Sequence, residues 1–458
     1  MKRRIILYMS CLLGLSSSCS NFLEVKPDVK LSTPETLTDI RALLDHEYNI
    51  NRNYLGLIEM AVDDYFMTSP VWYSRTVFDR DIYLWKPEPY FMPDNLGSQW
   101  NNTYKTIAIT NIALEGLARN NLEHSREGKI MKGEALCVRA FYFFILAQTY
   151  APHYAYKGAN DGLGIPLRLH SSLNQITSRA TLRETYDRII ADLLTAASLL
   201  PARSAFLTRP SRVLAEAILS RLYLFMGDYE KALHYAEEVL AVQSDLLDYN
   251  TINPQVRNPF SIANNPELIY FAVSASGSSL MSARRTNVDT LLYRSYADND
   301  IRKAAFFAAR GDGYHSFKGF YNEHEATYFV APALDEIYLI KSECLIRDNK
   351  IDEGLQALNY LLLHRYKSGT FQPYPLMDKE AAMSLVLSER RKELIRRGVR
   401  WSDLKRLNKE PDLAKTLVRK MIIAGNEEVF TLPPNDLRYV HLFPQEIVDL
   451  TGIPQNLR

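Results

Sequence analysis

Apolar residues recur every three or four positions over much of the chain, a period that is typical of amphipathic helices. This pattern covers about residues 32–49, 100–245 and 333–410. Two stretches, at about 50–95 and 245–330, lack a clean period and are rich in aromatic and loop-forming residues. We therefore predict a mostly all-α fold, in which a helical scaffold carries two long irregular insertions. Long ordered loops are frequently functional, so we expect a ligand site in the insertions.

Two segments of the helical pattern resemble each other. They are SRVLAEAILSRLYLFMGDYEKALHYAEEVLAV, residues 211–242, and DEIYLIKSECLIRDNKIDEGLQALNYLLLHRY, residues 335–366. The matched positions lie 122 residues apart and are Ser220 with Ser342, Tyr223 with Leu345, Gly227 with Asn349, and Ala232 with Gly354. Small residues let antiparallel helices approach closely, and Gly or Asn tolerates a positive φ at the turn. The pattern predicts helical hairpins of the tetratricopeptide type, with residues 130–150 and 181–200 as a candidate third hairpin.

The N-terminus has the pattern of an export leader. A basic start at residues 2–4 precedes an apolar run at 5–15, which is too short to span a bilayer. Three serines then lead to Cys19, and a lipoprotein signal ends in small residues followed by a Cys that receives acyl chains. We predict a lipoprotein signal peptide at 1–18, lipidation at Cys19 and one mature domain at 19–458. An ordinary secretory signal or a free N-terminus is the alternative.

Composition narrows the class of protein further. Charged residues make up 23% of the chain and the formal net charge is +1, which argues against nucleic acid as the main partner. No other segment reaches 18 consecutive apolar residues, so the acyl anchor would be the membrane attachment. Cys137 and Cys344 lie in apolar helical stretches. We expect both to be buried free thiols, although their pairing stays open.

A basic cluster near the C-terminus has an ordinary structural interpretation. Its members are Arg390, Arg391, Lys392, Arg396, Arg397, Arg400, Lys405 and Arg406. Glu389, Glu393 and Asp403 are interleaved at helical spacing, and we expect Glu393 to meet Arg396 or Arg397. The segment therefore reads as an ion-paired helical region, packed by Leu394, Trp401 and Leu404, rather than as a phosphate or nucleic-acid surface.

No catalytic constellation emerges from the sequence. Asp63 and Asp64 are adjacent, and neighbouring side chains point apart on a strand or a helix, so we do not expect a catalytic pair. His315, His324 and His441 show no metal-ligand spacing, and no G-x-S-x-G motif occurs. We predict a protein that is not an enzyme and that needs no metal or other cofactor.

The aromatic residues of the insertions favour a saccharide-binding site over a catalytic one. The apolar faces of a sugar ring stack on flat aromatic rings, while its hydroxyls seek polar side chains on a rigid support. Such a mixture occurs in both insertions, and the candidate residues are Asp64, Trp72, Tyr73, Arg75 and Trp85 in the first and Tyr293, Phe320 and Tyr321 in the second. Trp72 and Trp85 are preferred because their neighbours are polar or Pro-rich, whereas Trp100 and Trp401 lie on helical patterns and should be structural.

The order of several motifs resembles the SusD/RagB family of outer-membrane nutrient-binding lipoproteins of Bacteroidota. The motifs, in chain order, are CSNFLEVKP, WNNTYKTIAITN, KGEALCVRAFYFFILAQTYA, GIPL, YDRIIADL, NPELIYF, DEIYLIKSECLIR, ERRKELIRRGVRWSDLKRL, LFPQEI and IPQN. The chain departs from the family at Arg397-Gly398, where an acidic-Gly pair is usual, and in its ending at Gln455-Asn456. These departures weaken the transfer of any particular ligand.

The resemblance implies a function as well as a SusD-like α/α superhelix. Family members are non-enzymatic binding proteins on the cell surface, and they deliver an oligosaccharide or polysaccharide to a SusC-like TonB-dependent transporter. In the RagB branch the cargo is a peptide, which is the main alternative here. A surface glycoside hydrolase and a ligand-free structural adaptor are less favoured alternatives, and the sequence does not specify the ligand.

Overall fold

The computed structural model describes residues 33–87, 94–172, 177–275, 282, 285–323 and 327–458, without the side chains of 94–98. The predicted signal peptide and Cys19 lie outside these residues, as does His324. Within them no helix is long and apolar enough to cross a membrane.

Sixteen helices make up about half of the described chain and the strands are few and short, which confirms the mostly α fold class. They are α1 Leu37–Leu44, α2 Glu47–Asn51, α3 Ser69–Tyr73, α4 Val77–Tyr83, α5 Asp94–Arg119, α6 Arg126–Tyr150, α7 Leu182–Leu199, α8 Arg212–Met226, α9 Tyr229–Val242, α10 Thr290–Arg294, α11 Ile301–Phe306, α12 Leu334–Arg347, α13 Ile351–Leu363, α14 Lys379–Glu393, α15 Arg400–Leu407 and α16 Gln445–Thr451.

The strands of the described chain form four antiparallel pairs. β1 Tyr65–Phe66 pairs with β4 Asn287–Val288, β2 Leu163–Pro166 with β3 Arg179–Thr181, β5 Phe307–Ala309 with β6 His315–Phe317, and β7 Leu417–Ile423 with β8 Asn426–Leu432. The NPELIYF segment, expected to be strand-like, contributes only the isolated bridge between Leu268 and Ala333.

Local side chains explain where helices begin. Thr181 caps α7. Its hydroxyl accepts from the Glu184 amide, and the Glu184 carboxylate accepts from the Thr181 amide. Helix α1 starts with the same arrangement of Thr36 and Asp39. The helix therefore begins at Leu37, within the helical pattern at about 32–49.

The two repeated hairpins share an equivalent hydrogen bond between their helices. The Ser220 hydroxyl donates to the Ala232 carbonyl at 2.9 Å, and the equivalent Ser342 hydroxyl donates to the Gly354 carbonyl at 2.8 Å. Each bond ties the first helix of a hairpin to the second. The turns match too, since Gly227 has a φ of 86° and Asn349 a φ of 66°. The tetratricopeptide-type prediction is confirmed.

The candidate third hairpin is also present, with α6 packed against α7. Gly133 lies so close to α7 that a Cβ there would be 2.9 Å from Leu200 Cγ. Arg139 on α6 forms a bidentate pair with Asp192 on α7, at 2.8 and 2.9 Å. Cys137 on α6 and Cys344 on α12 are both buried and unpaired, as expected.

Most of the basic cluster is ion-paired and buried, while Arg396 and Lys405 donate to neutral oxygens instead. Arg390 pairs with Asp403, Arg406 with Glu343, and Arg397 with Asp335, at 2.6 to 2.9 Å. Leu394, Trp401 and Leu404 pack against these pairs in the main core. The interpretation as a structural region is confirmed.

One detail of that interpretation is wrong. Glu393 contacts neither Arg396 nor Arg397, and it instead pairs with Arg302 at 2.9 Å and Arg365 at 2.7 Å. Arg302 lies in the second insertion, far from Glu393 in sequence. The pairing therefore fastens that insertion to α14 through charges that are fully buried.

The two insertions are more ordered than their sequences indicate. The first contains α3 and α4, and the second contains α10, α11 and the β5–β6 hairpin. The β1–β4 pair joins them directly, with Phe66 opposite Asn287. The C-terminal region, expected to be irregular, contains the β7–β8 hairpin. Its Arg419 stacks on the Tyr83 and Trp85 rings and donates to the Tyr83 carbonyl.

Candidate ligand-binding surface

The two preferred tryptophans are core residues. Trp72 is 7% exposed, and its indole lies below the Arg80 guanidinium at 5.2 Å. Trp85 is 4% exposed, and its Nε1 donates to the Ala61 carbonyl at 2.8 Å. Neither ring has a free face for a sugar, so their selection as site residues is corrected. Trp72 lies in the short helix α3, and Trp85 follows α4 at a positive φ of 53°, so a polar neighbour in sequence did not indicate where either indole points.

Phe320 and Tyr321 are likewise buried. The Tyr321 hydroxyl is bonded to the Tyr249 hydroxyl at 2.7 Å and donates to Glu267 at 2.9 Å. Phe320 packs edge-on against Phe317. Both rings belong to the interior of the second insertion and are removed from the candidate site.

Asp64 is 1% exposed and takes part in an ion pair instead of facing solvent. Its carboxylate contacts Arg391 at 2.8 Å, while the Asp63 carboxylate contacts Arg400 at 2.7 Å and Lys415 at 2.9 Å. Burial raises the pKa of Asp63, but Arg400 and Arg391 outweigh it and hold that pKa well below its usual range.

The expectation that these two side chains point apart is wrong, because both carboxylates reach Arg391, at 2.8 Å and 3.4 Å. The irregular backbone here is neither strand nor helix at Asp63, so the side-chain rule of regular elements does not apply. Neither carboxylate is placed to bond a sugar hydroxyl.

Three of the eight candidates remain at the surface, namely Tyr73, Arg75 and Tyr293. Tyr73 is 47% exposed, and its hydroxyl accepts from the Ala424 amide at the tip of the β7–β8 hairpin. Arg75 and Tyr293 are partly exposed. Tyr73 and Tyr293 come from different insertions, as the sequence argument required of a shared site.

Four partly exposed rings form the aromatic surface, which we define as Phe66, Tyr293, Tyr314 and His315. Phe66 and Tyr314 meet edge to face with ring centroids 5.0 Å apart. Tyr293 and His315 stack at 3.6 Å with an angle of 18° between their planes. The two ring pairs are connected through the backbone, because Tyr314 and His315 are consecutive residues.

Secondary structure holds three of the four rings of the aromatic surface, and Tyr314 directly precedes β6. Phe66 lies on β1 and His315 on β6, while Tyr293 lies on α10. The Asp289 carboxylate caps α10. The backbone amide of Asp289 donates to the Asp64 carbonyl at 2.9 Å. This bond fixes α10 to the first insertion. The rings are therefore supported by both insertions rather than by one mobile loop.

The electrostatics of the aromatic surface favour a neutral stacking platform at His315. Burial and the nearby Lys303 charge lower the pKa of His315, so its imidazole is neutral at pH 7. The Lys303 ammonium lies 5.5 Å from the Tyr293 ring centroid and is paired with Asp298 at 2.7 Å. Within the described residues no group of His, Cys, Asp and Glu could hold a metal ion.

Sequence reasoning missed Phe66, Tyr314 and His315. Phe66 follows the buried Tyr65, and this alternation is the one signal that could have marked it as outward-facing. Tyr314 and His315 directly follow the turn of a hairpin, which the Arg-Gly-Asp-Gly sequence at 310–313 could have indicated.

Two sizeable cavities of the described chain lie elsewhere. One of about 640 Å³ is lined by Leu167, Arg179, Arg188 and neighbouring residues, and one of about 420 Å³ by Arg41, Phe206 and Arg209 among others. None of the eight candidate residues lines either cavity. The first has no aromatic lining on which a sugar ring could stack, so we keep the aromatic surface as the candidate site.

Comparison with known protein sequences finds SusD-like relatives. Residues 21–224 match a family described as starch-binding associating with outer membrane, SusD-like. SusD-like protein P38 of Formosa agariphila is 22% identical, over 87% of this chain and 90% of its own.

Solved structures match over nearly the whole chain. A SusD superfamily protein from Bacteroides thetaiotaomicron has a TM-score of 0.72 at 21% identity, covering 92% of this chain and 100% of that one. A SusD-like carbohydrate binding protein from Bacteroides vulgatus has a TM-score of 0.67 at 18% identity, covering 91% and 96%. The resemblance drawn from the sequence motifs is confirmed.

Proposed function

Because this chain has a SusD-like sequence in its N-terminal half and the SusD fold over nearly its whole length, we propose that it is a non-enzymatic glycan-binding protein of the cell surface. It captures an oligosaccharide or polysaccharide and passes it to a SusC-like TonB-dependent transporter. It is held at the outer membrane by acyl chains on Cys19, after removal of the signal peptide at 1–18. The family description, which names the outer membrane, supports this location.

The aromatic surface is the observation that carries the proposal. Tyr293 and Tyr314 each present part of a ring to solvent next to polar groups, and neither is a member of the buried core. Sugar recognition needs this combination of apolar faces and hydrogen-bonding groups. A rigid support also lowers the entropic cost of binding, because few rotamers are lost when the ligand arrives.

The buried ion pairs supply the rigidity. Arg302, in the second insertion, is fully buried and contacts Asp300, Glu389 and Glu393 at 2.7 to 2.9 Å. Arg391 joins α14 to Asp64 of the first insertion. Both insertions are thus fixed to one helix of the scaffold, and the aromatic surface lies between them.

Substitution of the exposed rings tests the proposal. Tyr293→Ala and Tyr314→Ala should each weaken binding to the best ligand of a polysaccharide and oligosaccharide panel by about tenfold, which is about 1.4 kcal/mol, because each removes a partly exposed ring of the aromatic surface. Affinity gel electrophoresis and calorimetry measure the binding. Tyr48→Ala is the matched control, since Tyr48 is 64% exposed and lies on α2 outside the aromatic surface.

Two results would contradict the proposal. One is that no saccharide binds while peptides do, which would favour the RagB-like alternative. The other is that both tyrosine variants bind saccharide as tightly as the Tyr48→Ala control. Release of reducing sugar from a bound polysaccharide would instead indicate a hydrolase.

The anchor and the transporter need separate tests. Mass spectrometry of the protein from membranes should find acyl chains on Cys19, and Cys19→Ser should release the protein from the membrane fraction. Affinity purification of the full chain should recover a large outer-membrane transporter. Recovery of the protein from the cytosol without acylation would contradict this part of the proposal.

A further inference from the structure

The loop between α7 and α8, residues 201–210, contains no helix or strand but is fixed at several points. Its two ends are joined, because the Arg212 amide donates to the Pro201 carbonyl at 2.9 Å. Its far side is tied to the core, where the Phe271 amide donates to the Leu207 carbonyl at 2.7 Å. Compact loops whose ends lie close together are frequently functional.

This loop holds one aromatic side chain out into solvent. Phe206 is 55% exposed. The Arg209 guanidinium lies 4.6 Å from the Phe206 ring centroid, and a bidentate pair with Asp45 of α1, at 2.7 and 2.8 Å, holds it there. More than half of Phe206 is still accessible, so the loop presents a fixed apolar surface to a ligand.

Phe206 lines the cavity of about 420 Å³, which lies between the loop, α1 and the N-terminal part of α6. Arg41 of α1 and Glu134 of α6 line it as well, and their side chains pair at 2.7 Å. The cavity is thus bounded by elements that are tied to one another. Its volume lies in the range of small-ligand sites, so a sugar unit fits in it.

Two arginines of the cavity lining have no acidic partner. They are Arg126, the first residue of α6, and Arg203 of the loop, and both are exposed. Neither guanidinium forms a hydrogen bond or an ion pair within the described part of the chain. The other arginines of the lining are the two that pair with carboxylates. Glu127 is the one carboxylate of the described lining without an ion pair, so the cavity carries an excess positive charge.

These groups match a sugar that carries an acid. The apolar face of a sugar ring packs on an aromatic ring, and the planar fork of a guanidinium matches the oxygens of a carboxylate or a sulfate. Glu127 supplies an acceptor for sugar hydroxyls. A peptide is disfavoured, because the described lining belongs to helices and a loop and offers no strand edge with which an extended peptide could pair.

We propose that this cavity is a separate binding site for an acidic sugar unit, which packs on Phe206 and binds Arg126 and Arg203 through a carboxylate or a sulfate ester. The choice of a sugar rests on the proposed glycan-binding function. The site itself is distinct from the aromatic surface, since none of those four rings lines the cavity. A uronic acid and a sulfated sugar offer the same chemistry to the arginines, and the experiment separates them.

Three sugars that share one ring test the inference. Glucose, glucuronate and glucose 6-sulfate are titrated into the mature full chain at physiological ionic strength, and ligand-observed NMR measures their affinities. We expect at least one of the two acids to bind about tenfold more tightly than glucose, as one charge-assisted contact would give. The tighter of the two acids identifies the carboxylate or the sulfate as the favoured group.

Variants assign the binding to the cavity. Arg126→Gln and Arg203→Gln should each weaken binding of the acidic sugar by about tenfold and leave that of glucose unchanged, whereas Phe206→Ala should weaken binding of both. Arg119→Gln is the matched control, since Arg119 is an exposed arginine at the end of α5 that does not line the cavity. Melting temperatures should change little, because all four side chains are exposed.

Comparison with Tyr293→Ala separates this inference from the function on which it rests. Loss of acidic-sugar binding in Arg203→Gln but not in Tyr293→Ala would support the separate site. The reverse pattern, or binding of polysaccharide without binding of either acidic sugar, would overturn the inference and keep the glycan-binding function. Equal losses in Arg119→Gln and Arg203→Gln, or equally tight binding of free glutamate, would reduce the effect to general charge attraction and also overturn it. Absence of binding to every saccharide would refute the proposed function itself.

Discussion

Glu59→Gln should stabilise the protein above neutral pH and leave its stability almost unchanged near pH 4.5. Glu59 ends a 3-10 turn at Leu57–Glu59 and is 1% exposed. One carboxylate oxygen accepts from the Gly398 amide at 2.8 Å, and the other has no hydrogen-bond partner among the described residues. Burial, aided by the Asp64 charge, raises the pKa of Glu59 to about 7, although Arg396 and the Gly398 amide oppose the shift.

The sign of the effect follows from where the proton is held. Between pH 4.5 and 7 the folded protein keeps a proton that the unfolded chain has lost, so the neutral carboxyl stabilises the fold fully below pH 4.5. That contribution is lost as the pH rises through 7. A shift from 4.5 to about 7 corresponds to about 3 kcal/mol, at 1.36 kcal/mol per pKa unit. Gln has the shape of the neutral carboxyl and never ionises, so the variant avoids the loss.

Unfolding experiments at two pH values measure the difference. Urea unfolding at pH 8.5 should show Glu59→Gln to be more stable by about 3 kcal/mol, or by about 4 °C in Tm for a chain of this length. At pH 4.5 the two proteins should differ little. Glu267, whose pKa burial also raises to about 7, titrates in both proteins and cancels from the comparison.

The control for this experiment is Glu353→Gln, because Glu353 is an exposed carboxylate on α13. Because Glu353 is an exposed carboxylate in the first turn of its helix, this variant should give no gain in unfolding free energy at pH 8.5. If Glu59→Gln shifts the unfolding free energy by the same amount at pH 4.5 and pH 8.5, then Glu59 is not a buried, protonated carboxyl and the reasoning fails.

Three further predictions concern the scaffold and the core. Ser342→Ala and Ser220→Ala should each lower the unfolding free energy by about 1 kcal/mol in urea titrations, since each deletes a buried hydroxyl bond between paired helices; no loss in either would mean that the bonds do not hold the hairpins. Gly354→Val should cost at least about 2 kcal/mol by the same measurement, because a Cβ there would lie 2.6 Å from an atom of α12, and a Tm equal to the wild type would refute the close approach. Trp85→Phe should lower Tm by a few degrees, because the hydrogen bond to the Ala61 carbonyl is lost, and should leave saccharide affinity unchanged. Weaker saccharide binding by the folded variant would mean that Trp85 belongs to the binding site.

The hairpins could be predicted in detail because their signals are local. Gly227 and Asn349 must adopt a positive φ, and Ser220 and Ser342 must fit between two helices. Each requirement restricts the residue at one position. Two copies 122 residues apart therefore reveal the same structure without any knowledge of the rest of the fold.

The binding surface could not be predicted at the same level. Trp72 and Trp85 have polar neighbours, but whether an indole points inward depends on what lies behind it. For Trp85 that is Arg419, more than 300 residues later in the chain, whose guanidinium stacks on the ring at 4.4 Å. Phe66 is partly exposed, and its cross-strand partner Asn287 likewise comes from a segment more than 200 residues later in the chain.

The sequence by itself determined the helical scaffold, the repeat and the two insertions, because periodicity and turn chemistry act between residues that are close along the chain. It also predicted a ligand site within the insertions. Tertiary structure alone decided which side chains reach solvent there, since contacts between distant segments set the burial of every ring and the partner of every charge. Glu393 illustrates the point: its sequence neighbours Arg396 and Arg397 were available, but it pairs with Arg302 and Arg365, which only the folded chain brings near.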